Sequence, residues 1–237
     1  MPKWWMPIYA ATNMDPSMAE ATPRRLVLVG GGGHAKVILE ILRAASPPWD
    51  IVGIVDANPD HRGVLGVRSL GDDSVLPSLR AQGVDAAFVA IGENELRQNL
   101  AIAMRDLGFE LVNAISPAAT LSPSAKLGRG VAIMAGAVIN AEAEIGDLSI
   151  INTGALVDHD VQVGEAAHVA PGCAIAGNVA IGERAFIGVG ARLLPGITIG
   201  EDATIGGGAC VTQDIAARAT AVGVPARVIS TMTRVQR

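Results

Sequence analysis

The chain contains a long stretch in which every sixth residue is aliphatic, and its clearest portion is INTGAL VDHDVQ VGEAAH VAPGCA IAGNVA IGERAF, Ile151–Phe186. The same frame continues without a gap in both directions, so that sixteen hexads cover Leu121 to Ala216. The first residue of all sixteen is Leu, Ile or Val, and the fifth is always small or aliphatic. An α-helix does not produce this pattern, because a six-residue period cannot keep one face apolar at about 3.6 residues per turn.

A short strand followed by a turn, repeated many times, accounts for the period. The large aliphatic residue points inward, the small residue fits where the wall bends, and Gly or Asn adopts the turn conformations. Stacked coils of this kind bury a continuous aliphatic ladder. The composition agrees, because 50% of the 237 residues are apolar and only 3% are aromatic. We therefore predict a β-solenoid.

The segment before the repeat alternates between strand and helix patterns over about 90 residues, which indicates a small, parallel, Rossmann-like α/β domain. The predicted strands are Arg25–Val29, Ile51–Val55, Asp85–Ile91 and Phe109–Ile115, and the predicted helices are about His34–Ala45 and Asn94–Leu107. The predicted fold class is thus α/β plus all-β.

A glycine run follows the first predicted strand. Gly30, Gly32 and Ala35 satisfy G-x-G-x-x-G/A between strand and helix, a context that directs backbone N–H groups at a phosphate. A tight turn that needs Gly only for packing is the alternative. Because about 90 residues make half of a dinucleotide fold, a mononucleotide fits better. Ligands of such sheets lie beyond the carboxyl ends of the strands, which is where Gly32, Gly33, His34, Asp56, Gly92 and Asn94 fall.

Charge and cysteine content exclude several classes of protein. A net charge of −5 provides no general attraction to nucleic acid. No stretch approaches the roughly 18 apolar residues of a membrane span. The two cysteines, Cys173 and Cys210, are too few for a disulfide framework and form no metal-ligand motif. Reduced thiols and a cytoplasmic location are expected.

The hexapeptide repeat resembles that of the left-handed parallel β-helix acyltransferases. In that family three hexads form one triangular coil of 18 residues, and the left hand of the helix is implied by the resemblance alone. With this coil length, Gly177 lies above His159 and Ala141 lies below it. Both neighbours are small, so the imidazole projects beside a gap, and Asp158 or Asp160 can orient it as a general base.

The chain further resembles one branch of this family. A small Gly-loop domain, the motif VNAISPAA (Val112–Ala119) and the motif GVPAR (Gly223–Arg227) are similar to features of the sugar acetyltransferases that act on nucleotide-linked 4-amino-4,6-dideoxy sugars. That branch includes bacillosamine and perosamine N-acetyltransferases, with sialic acid O-acetyltransferases as relatives. The likeness covers about residues 24–229.

The resemblance implies a role for each site residue. His159 is the base and Asp160 its acidic partner, although many members have Glu at the second place. Acetyl-CoA contacts fall on His168, Gly177, Val189 and Gly207. Nucleotide-sugar contacts fall on Gly32, Gly33, His34, Asp56, Gly92 and Asn94, with Asn152 near the sugar amine. The family's usual Ser in the loop is Gly32 here.

The implied reaction is direct transfer of an acetyl group from acetyl-CoA to the C4 amine of the sugar, without a metal or an acyl-enzyme. GDP-perosamine is the first choice of substrate and a UDP-linked amino sugar the second. We expect a homotrimer with no nucleic-acid partner and no membrane span. The expected organisation is an extension (residues 1–23), a nucleotide-sugar domain (24–117), a β-helix domain (118–229) and a tail (230–237).

Three alternatives stay open from the sequence. A zinc enzyme of the gamma carbonic anhydrase type needs three His ligands, but the repeat contains only His159 and His168. A non-catalytic scaffold would use the solenoid as a binding surface. O-acetylation of free sialic acid would leave the Gly-loop domain without a nucleotide to bind.

Overall fold

The computed structural model describes residues 23–58, 60 and 62–231. Most of the extension predicted for residues 1–23 and most of the tail predicted for residues 230–237 lie outside the described residues.

The N-terminal part is a six-stranded sheet with helices packed on its faces, in the strand order β3-β4-β2-β1-β5-β6. Its strands are β1 Arg25–Val29, β2 Asp50–Val55, β3 Gly63–Val64, β4 Val67–Gly71, β5 Ala86–Val89 and β6 Glu110–Leu111. Its helices are α1 Gly33–Arg43, α2 Leu76–Ala81 and α3 Asn94–Asp106, with a 3₁₀ turn at Asp73–Val75.

The sheet is parallel except for the hairpin of β3 and β4, so the predicted Rossmann-like class is confirmed. Apolar residues recur along α1 at helical spacing, at Ala35, Ile38, Leu39 and Leu42, and all are buried. The sequence reading did not include β3, β4 or α2. These elements are short, and a strand such as VRSLG lacks the apolar run that marks the central strands.

The repeat folds into seventeen two-residue strands, which begin every six residues from Ala114 to Cys210. They are β7 Ala114–Ile115, β8 Thr120–Leu121, β9 Lys126–Leu127, β10 Ala132–Ile133, β11 Val138–Ile139, β12 Glu144–Ile145, β13 Ile150–Ile151, β14 Leu156–Val157, β15 Gln162–Val163, β16 His168–Val169, β17 Ala174–Ile175, β18 Ala180–Ile181, β19 Phe186–Ile187, β20 Arg192–Leu193, β21 Thr198–Ile199, β22 Thr204–Ile205 and β23 Cys210–Val211.

Successive strands lie on three faces in turn, and each strand pairs in parallel with the strand 18 residues away. The first face carries β7, β10, β13, β16, β19 and β22. The second carries β8, β11, β14, β17, β20 and β23, and the third carries β9, β12, β15, β18 and β21. The first residue of each hexad is buried from Ile133 to Val211, whereas Phe186 sits in the outward sixth position. The predicted left-handed parallel β-helix is confirmed.

The β-helix begins one hexad earlier than the repeat count predicts. The segment Phe109–Ile115, predicted as one strand, divides into β6, which pairs with β5, and β7, which pairs with β10. Asn113 lies between them, donates to the carbonyl of Gly128 and accepts the N–H of Val131. Its side chain thereby fixes the chain where it passes from one sheet to the other.

The N-terminal domain packs over the first face of the β-helix, with α1 in contact with β7. Ala132 and Ile150 from that face share one apolar core with Leu28 of β1 and Ile38 of α1. At the other end of the repeat, β24 Ala219–Gly223 continues the first face and forms an antiparallel hairpin with β25 Ala226–Thr231. None of the helices in the described ranges has the length and apolar character required to cross a membrane.

Candidate active site

The Gly loop forms an open cradle at the start of α1. Gly32 is the N-cap of this helix, and no side chain caps it, so the first-turn N–H groups lack partners within the helix. A Cβ placed on Gly32 or Gly33 would meet nothing within 4 Å. Asp56, after β2, accepts the N–H of Gly31 at 2.6 Å and of Asn58 at 2.8 Å. This arrangement can receive a phosphate.

Gly92 follows β5, the strand next to β1, and faces open space as well. The predicted loop residues therefore meet at one edge of the sheet, as parallel topology requires. Close to Gly92 lies His168 of β16, whose Nε2 is 3.1 Å from the amide nitrogen of Asn152. The edge of the His168 ring packs on Phe186, with the ring centroids 5.3 Å apart.

Two ring nitrogens in this region are buried without a hydrogen-bond partner, Nε2 of His34 and Nδ1 of His168. Burial, followed by the positive charge of Arg97, lowers the pKa of both histidines to about 4. The Gly92 carbonyl raises the pKa of His168 only weakly against these effects. Both rings are therefore neutral at pH 7 and able to hydrogen-bond a ligand.

Asn94 and Arg97 lie where α3 meets the β-helix. The Asn94 amide donates to the carbonyl of Arg184 at 2.8 Å and accepts from Arg97 at 2.9 Å. The side chain of Asn94, predicted to contact substrate, thus joins the two domains. Sequence reasoning missed Arg97. The feature that could have identified it is its position, because Arg97 is a charged residue on the buried stripe of α3, in line with Ala101 and Met104.

A cleft of about 750 Å³ opens beside this junction, between the N-terminal end of α3 and the β-helix. It is lined by Gly92, Glu93, Asn94, Glu95, Gln98, Asn99, Arg184, Phe186, Asp202, Thr204 and Arg218.

His159 lies elsewhere, at the corner between the second and third faces. Its Nδ1 is 2.7 Å from Oδ2 of Asp160, and its side chain is 53% exposed. Asp158 accepts the backbone N–H of His159 and an amide hydrogen of Asn140. Asp160 is therefore the carboxylate that binds the ring. Its hydrogen bond, followed by the charge of Asp158, raises the pKa of His159.

Gly177 leaves the room that His159 occupies. A Cβ on Gly177 would lie 2.6 Å from Cε1 and 2.7 Å from Nε2 of the ring. The imidazole therefore fills the space that the absent side chain of Gly177 leaves. Val189 and Gly207 stack one coil apart at a different corner, between the first and second faces, and Val189 is 60% exposed.

The predicted residues consequently form one group and two separate pairs within a single chain. His34, Gly92, Asn94, Asn152 and His168 come together on the first face with the Gly loop. His159 and Gly177 lie at the corner opposite that face, and Val189 and Gly207 lie at a third position. The β-helix itself separates these positions.

Cys173 is not placed for nucleophilic chemistry. Cys173 is buried, and its Sγ lies 3.1 Å from the carbonyl oxygen of Gly188. Burial raises the pKa of this thiol, which disfavours the reactive thiolate. Within the ranges that the structure describes, no three His, Cys, Asp or Glu side chains cluster as a metal site.

Comparison with known proteins identifies both parts of the fold. The PglD N-terminal domain family matches residues 25–104, and the bacterial transferase hexapeptide family, described as six repeats, matches residues 178–213. The crystal structure of PerB from Caulobacter crescentus, in complex with CoA and GDP-perosamine, is 54% identical with a TM-score of 0.84. The match covers 89% of this chain and 99% of that chain. Perosamine N-acetyltransferase from the same bacterium has also been solved with one histidine replaced by asparagine, again with CoA and GDP-perosamine.

Two further relatives are named as acetyltransferases. The acetyltransferase domain of PglB from Neisseria gonorrhoeae, in complex with acetyl coenzyme A, is 38% identical with a TM-score of 0.81, over 87% of this chain and 100% of that chain. UDP-N-acetylbacillosamine N-acetyltransferase from Bacillus subtilis is 37% identical over 113 residues, 47% of this chain and 52% of that protein. The match thus spans about half the length of this curated relative.

The fold and the two domain matches define a hexapeptide-repeat transferase with a PglD-type N-terminal domain. The chain belongs to the family of acetyl-CoA-dependent sugar N-acetyltransferases that contains the perosamine and bacillosamine enzymes, and the resemblance predicted from the sequence is confirmed.

Proposed function

We propose that this protein transfers the acetyl group of acetyl-CoA to the C4 amine of a nucleotide-linked 4-amino-4,6-dideoxy sugar, with GDP-perosamine as the preferred substrate. A UDP-linked amino sugar is the second choice. The observation that carries the proposal is the exposed His159, held by Asp160 beside a glycine. The 54% identity to an enzyme solved with CoA and GDP-perosamine supports the choice of substrate.

The geometry of His159 fits a general base. Because a carboxylate oxygen accepts, Nδ1 of the neutral ring carries the proton and Nε2 is left to receive one. In the proposed reaction the sugar amine attacks the thioester carbonyl, and its proton moves to Nε2. The C–S bond then breaks, the leaving sulfur takes that proton from Nε2, and CoA departs as the thiol. Asp160 stabilises the imidazolium that forms.

The separation of the predicted residues supports a homotrimer. His159 and Gly177 lie at the corner opposite the face that the N-terminal domain covers, so one chain cannot bring them to its own Gly loop. In the proposed assembly, neighbouring prisms bring the corners together and acetyl-CoA lies between them. Gly177, Val189, Gly207 and His168 then contact acetyl-CoA, as the family resemblance implies.

The sugar nucleotide is proposed to lie at the first face of the prism. Gly32, Gly33 and the start of α1 receive a phosphate, and Asp56 lies beside this cradle. His34, Gly92 and Asn94 complete the nucleotide-sugar site, and Asn152 lies near the sugar amine. The neutral state of His34 and the open space at Gly92 are compatible with this role.

The direct test measures thiol release from acetyl-CoA with three acceptors offered in parallel. These are GDP-perosamine, a UDP-linked 4-amino sugar and free sialic acid. We expect release with the nucleotide-linked amines, fastest with GDP-perosamine. Release with sialic acid alone, or with none of the three, would contradict the proposal.

The His159→Asn variant tests the base. Loss of a general base reduces kcat by about 10²–10⁴-fold, whereas CoA binding measured by calorimetry is expected to stay near that of the unaltered protein. Near-normal turnover of the variant would show that His159 is not the base.

A further inference from the structure

Helix α3 lies along the corner between the third and first faces, where three stacked carbonyls meet its side chains. The corner residues Leu148, Ala166 and Arg184 recur at intervals of 18 residues, and all have positive φ, at 62°, 53° and 53°. Arg97 donates from Nε to Leu148 at 2.8 Å and from Nη2 to Ala166 at 2.7 Å. Asn94 donates to Arg184. Each coil thus offers one carbonyl, and α3 binds three in succession.

The remaining donors of Arg97 bind the N-terminal domain. Nη1 reaches the carbonyls of Ile91 and Gly92, both at 3.1 Å, and Nη2 reaches Oδ1 of Asn94. All five N–H groups of the guanidinium are therefore used, and Arg97 is 1% exposed. These bonds join the turn after β5 to the β-helix through one side chain.

The Ile91–Gly92 turn is the part of the N-terminal domain that lies beside His168. The Gly92 carbonyl, which Arg97 holds, is near enough to the His168 ring to influence it. Nδ1 of His168 and Nε2 of His34 are both buried and unpartnered here. Arg97 therefore holds the turn beside which the His168 ring lies.

The charge of Arg97 also reaches both rings. None of its five hydrogen-bond acceptors is a carboxylate. Burial lowers the pKa of Arg97 to about 10, against a rise caused by Glu93, so the charge persists at neutral pH. Glu165 and Glu183, on the same corner, accept from Gln98 instead of Arg97. The positive charge contributes, after burial, to the low pKa of His34 and His168.

We propose that Arg97 is a positioning residue, whose hydrogen bonds clamp the Ile91–Gly92 turn to the β-helix corner and whose charge acts on His168, where that ring meets its ligand. For the identity of that ligand the inference rests on the proposed function. The clamp itself is a property of the protein alone and can be measured without substrate.

The test uses variants that separate charge from hydrogen bonding. Arg97→Met removes both, Arg97→Gln removes the charge but keeps an amide donor, and Arg97→Lys keeps the charge with at most three donors. Histidine resonances are followed by NMR between pH 3 and 8, with His168→Asn used to assign His168. We expect His168 to titrate at higher pH in Arg97→Met and Arg97→Gln, and near its original pH in Arg97→Lys.

Kinetics provide the second measurement. In Arg97→Lys we expect KM for acetyl-CoA, the ligand proposed for His168, to rise by about tenfold, the equivalent of one lost charge-assisted hydrogen bond, with a smaller change in kcat. Arg105→Ala is the matched control. Arg105 lies on the same helix and pairs with Asp147 of the same corner at 2.7 Å, away from the Ile91–Gly92 turn. It is expected to leave KM and the His168 titration unchanged.

If Arg97→Met or Arg97→Gln folds and its His168 titrates at the original pH, the proposal is overturned. If neither neutral variant folds, an unchanged KM in Arg97→Lys overturns it. Absence of acetyl transfer in the unaltered protein, together with a shifted His168 titration, would instead reject the proposed function and leave the clamp in place.

Discussion

His159 is an exposed histidine between two carboxylates that act on it in different ways. Asp160 binds the ring, and Asp158 binds the backbone N–H of His159 and lies close enough to act through its charge. Both favour the protonated ring and raise its pKa. A general base works in its neutral form, so activity is expected to appear as the pH rises through this raised pKa.

Asp160→Asn is predicted to move the acidic limb of the kcat/KM profile to lower pH. The reason is that the amide no longer stabilises the imidazolium, so the pKa of His159 falls. The maximal rate is expected to fall as well, because the protonated ring formed during transfer loses its partner. Asp158→Asn is the control and should shift the limb in the same direction by less, since its charge is the second cause. If the acidic limb of the kcat/KM profile stays at the same pH in Asp160→Asn, the limb reports the titration of a group other than His159.

Gly177→Ala is predicted to displace the His159 ring without unfolding the coil. The stacked positions Ala141 and Pro195 carry side chains, so the backbone at this place accepts a Cβ. The added methyl would lie 2.6 Å from the imidazole, and a displacement of about 1 Å reduces turnover by about 10²-fold. The measurements are kcat and the melting temperature. Unaltered kcat would show that this corner does not position the base.

At the scale of the element, each two-residue strand contributes one aliphatic residue to the inner ladder and one outward residue to a face. Because the strands are short, no strand is stable alone, and stacking on the coils above and below stabilises each one. The outward residues differ from face to face. On the first face they include the His168–Phe186 pair, whereas Lys126 and Glu144 on the third form an exposed ion pair.

Ile187→Ala is predicted to reduce the free energy of unfolding by about 2–5 kcal/mol, because it leaves a cavity in the middle of the ladder. Ile187 is fully buried, whereas Leu121, in an early coil, is only partly buried. Leu121→Ala is therefore the matched control and should have a smaller effect. Urea denaturation at one fixed protein concentration measures both, since oligomerisation makes stability depend on concentration. Equal losses of unfolding free energy in the two variants would contradict the expectation that the more deeply buried residue contributes more.

At the scale of the whole molecule, the N-terminal domain and His159 lie on opposite sides of the prism. In the proposed reaction, a complete site therefore needs His159 from one chain and the Gly loop from another. This arrangement is what a closed homotrimer supplies, because cyclic symmetry places the same two surfaces against each other at every interface.

Mixed oligomers of His159→Asn and His34→Ala chains are predicted to regain activity that neither homo-oligomer has. In a shared site, a His34→Ala chain supplies an intact His159 and its neighbour supplies an intact His34. Co-expression with two different affinity tags and tandem purification isolates the mixed species, and thiol release measures its turnover. A mixed species as inactive as its parents would place both residues of each site in one chain, and sedimentation showing a monomer would exclude the homotrimer.

Much of the candidate site could be located from sequence because its residues follow local patterns. The Gly loop and Asp56 follow predicted strands, so parallel topology places them at one sheet edge. The 18-residue coil, taken from the family resemblance, placed Gly177 against His159. Arg97 could not be assigned in this way, since a charged residue on a helix is usually solvated and its partners, Leu148 and Ala166, lie about 50 and 70 residues away in sequence.

The sequence by itself determined the β-helix, because a six-residue period of aliphatic and small residues satisfies its packing within neighbouring coils. It also determined the strand–helix order of the N-terminal domain and the position of the Gly loop at the start of α1. Only the tertiary structure decided where that domain sits. Its position depends on α3 binding one backbone carbonyl from each of three coils. Because every residue has a backbone carbonyl, the residue types do not show which carbonyls are available to accept. The same docking decided that His168 lies beside Gly92 and that His159 faces away from both.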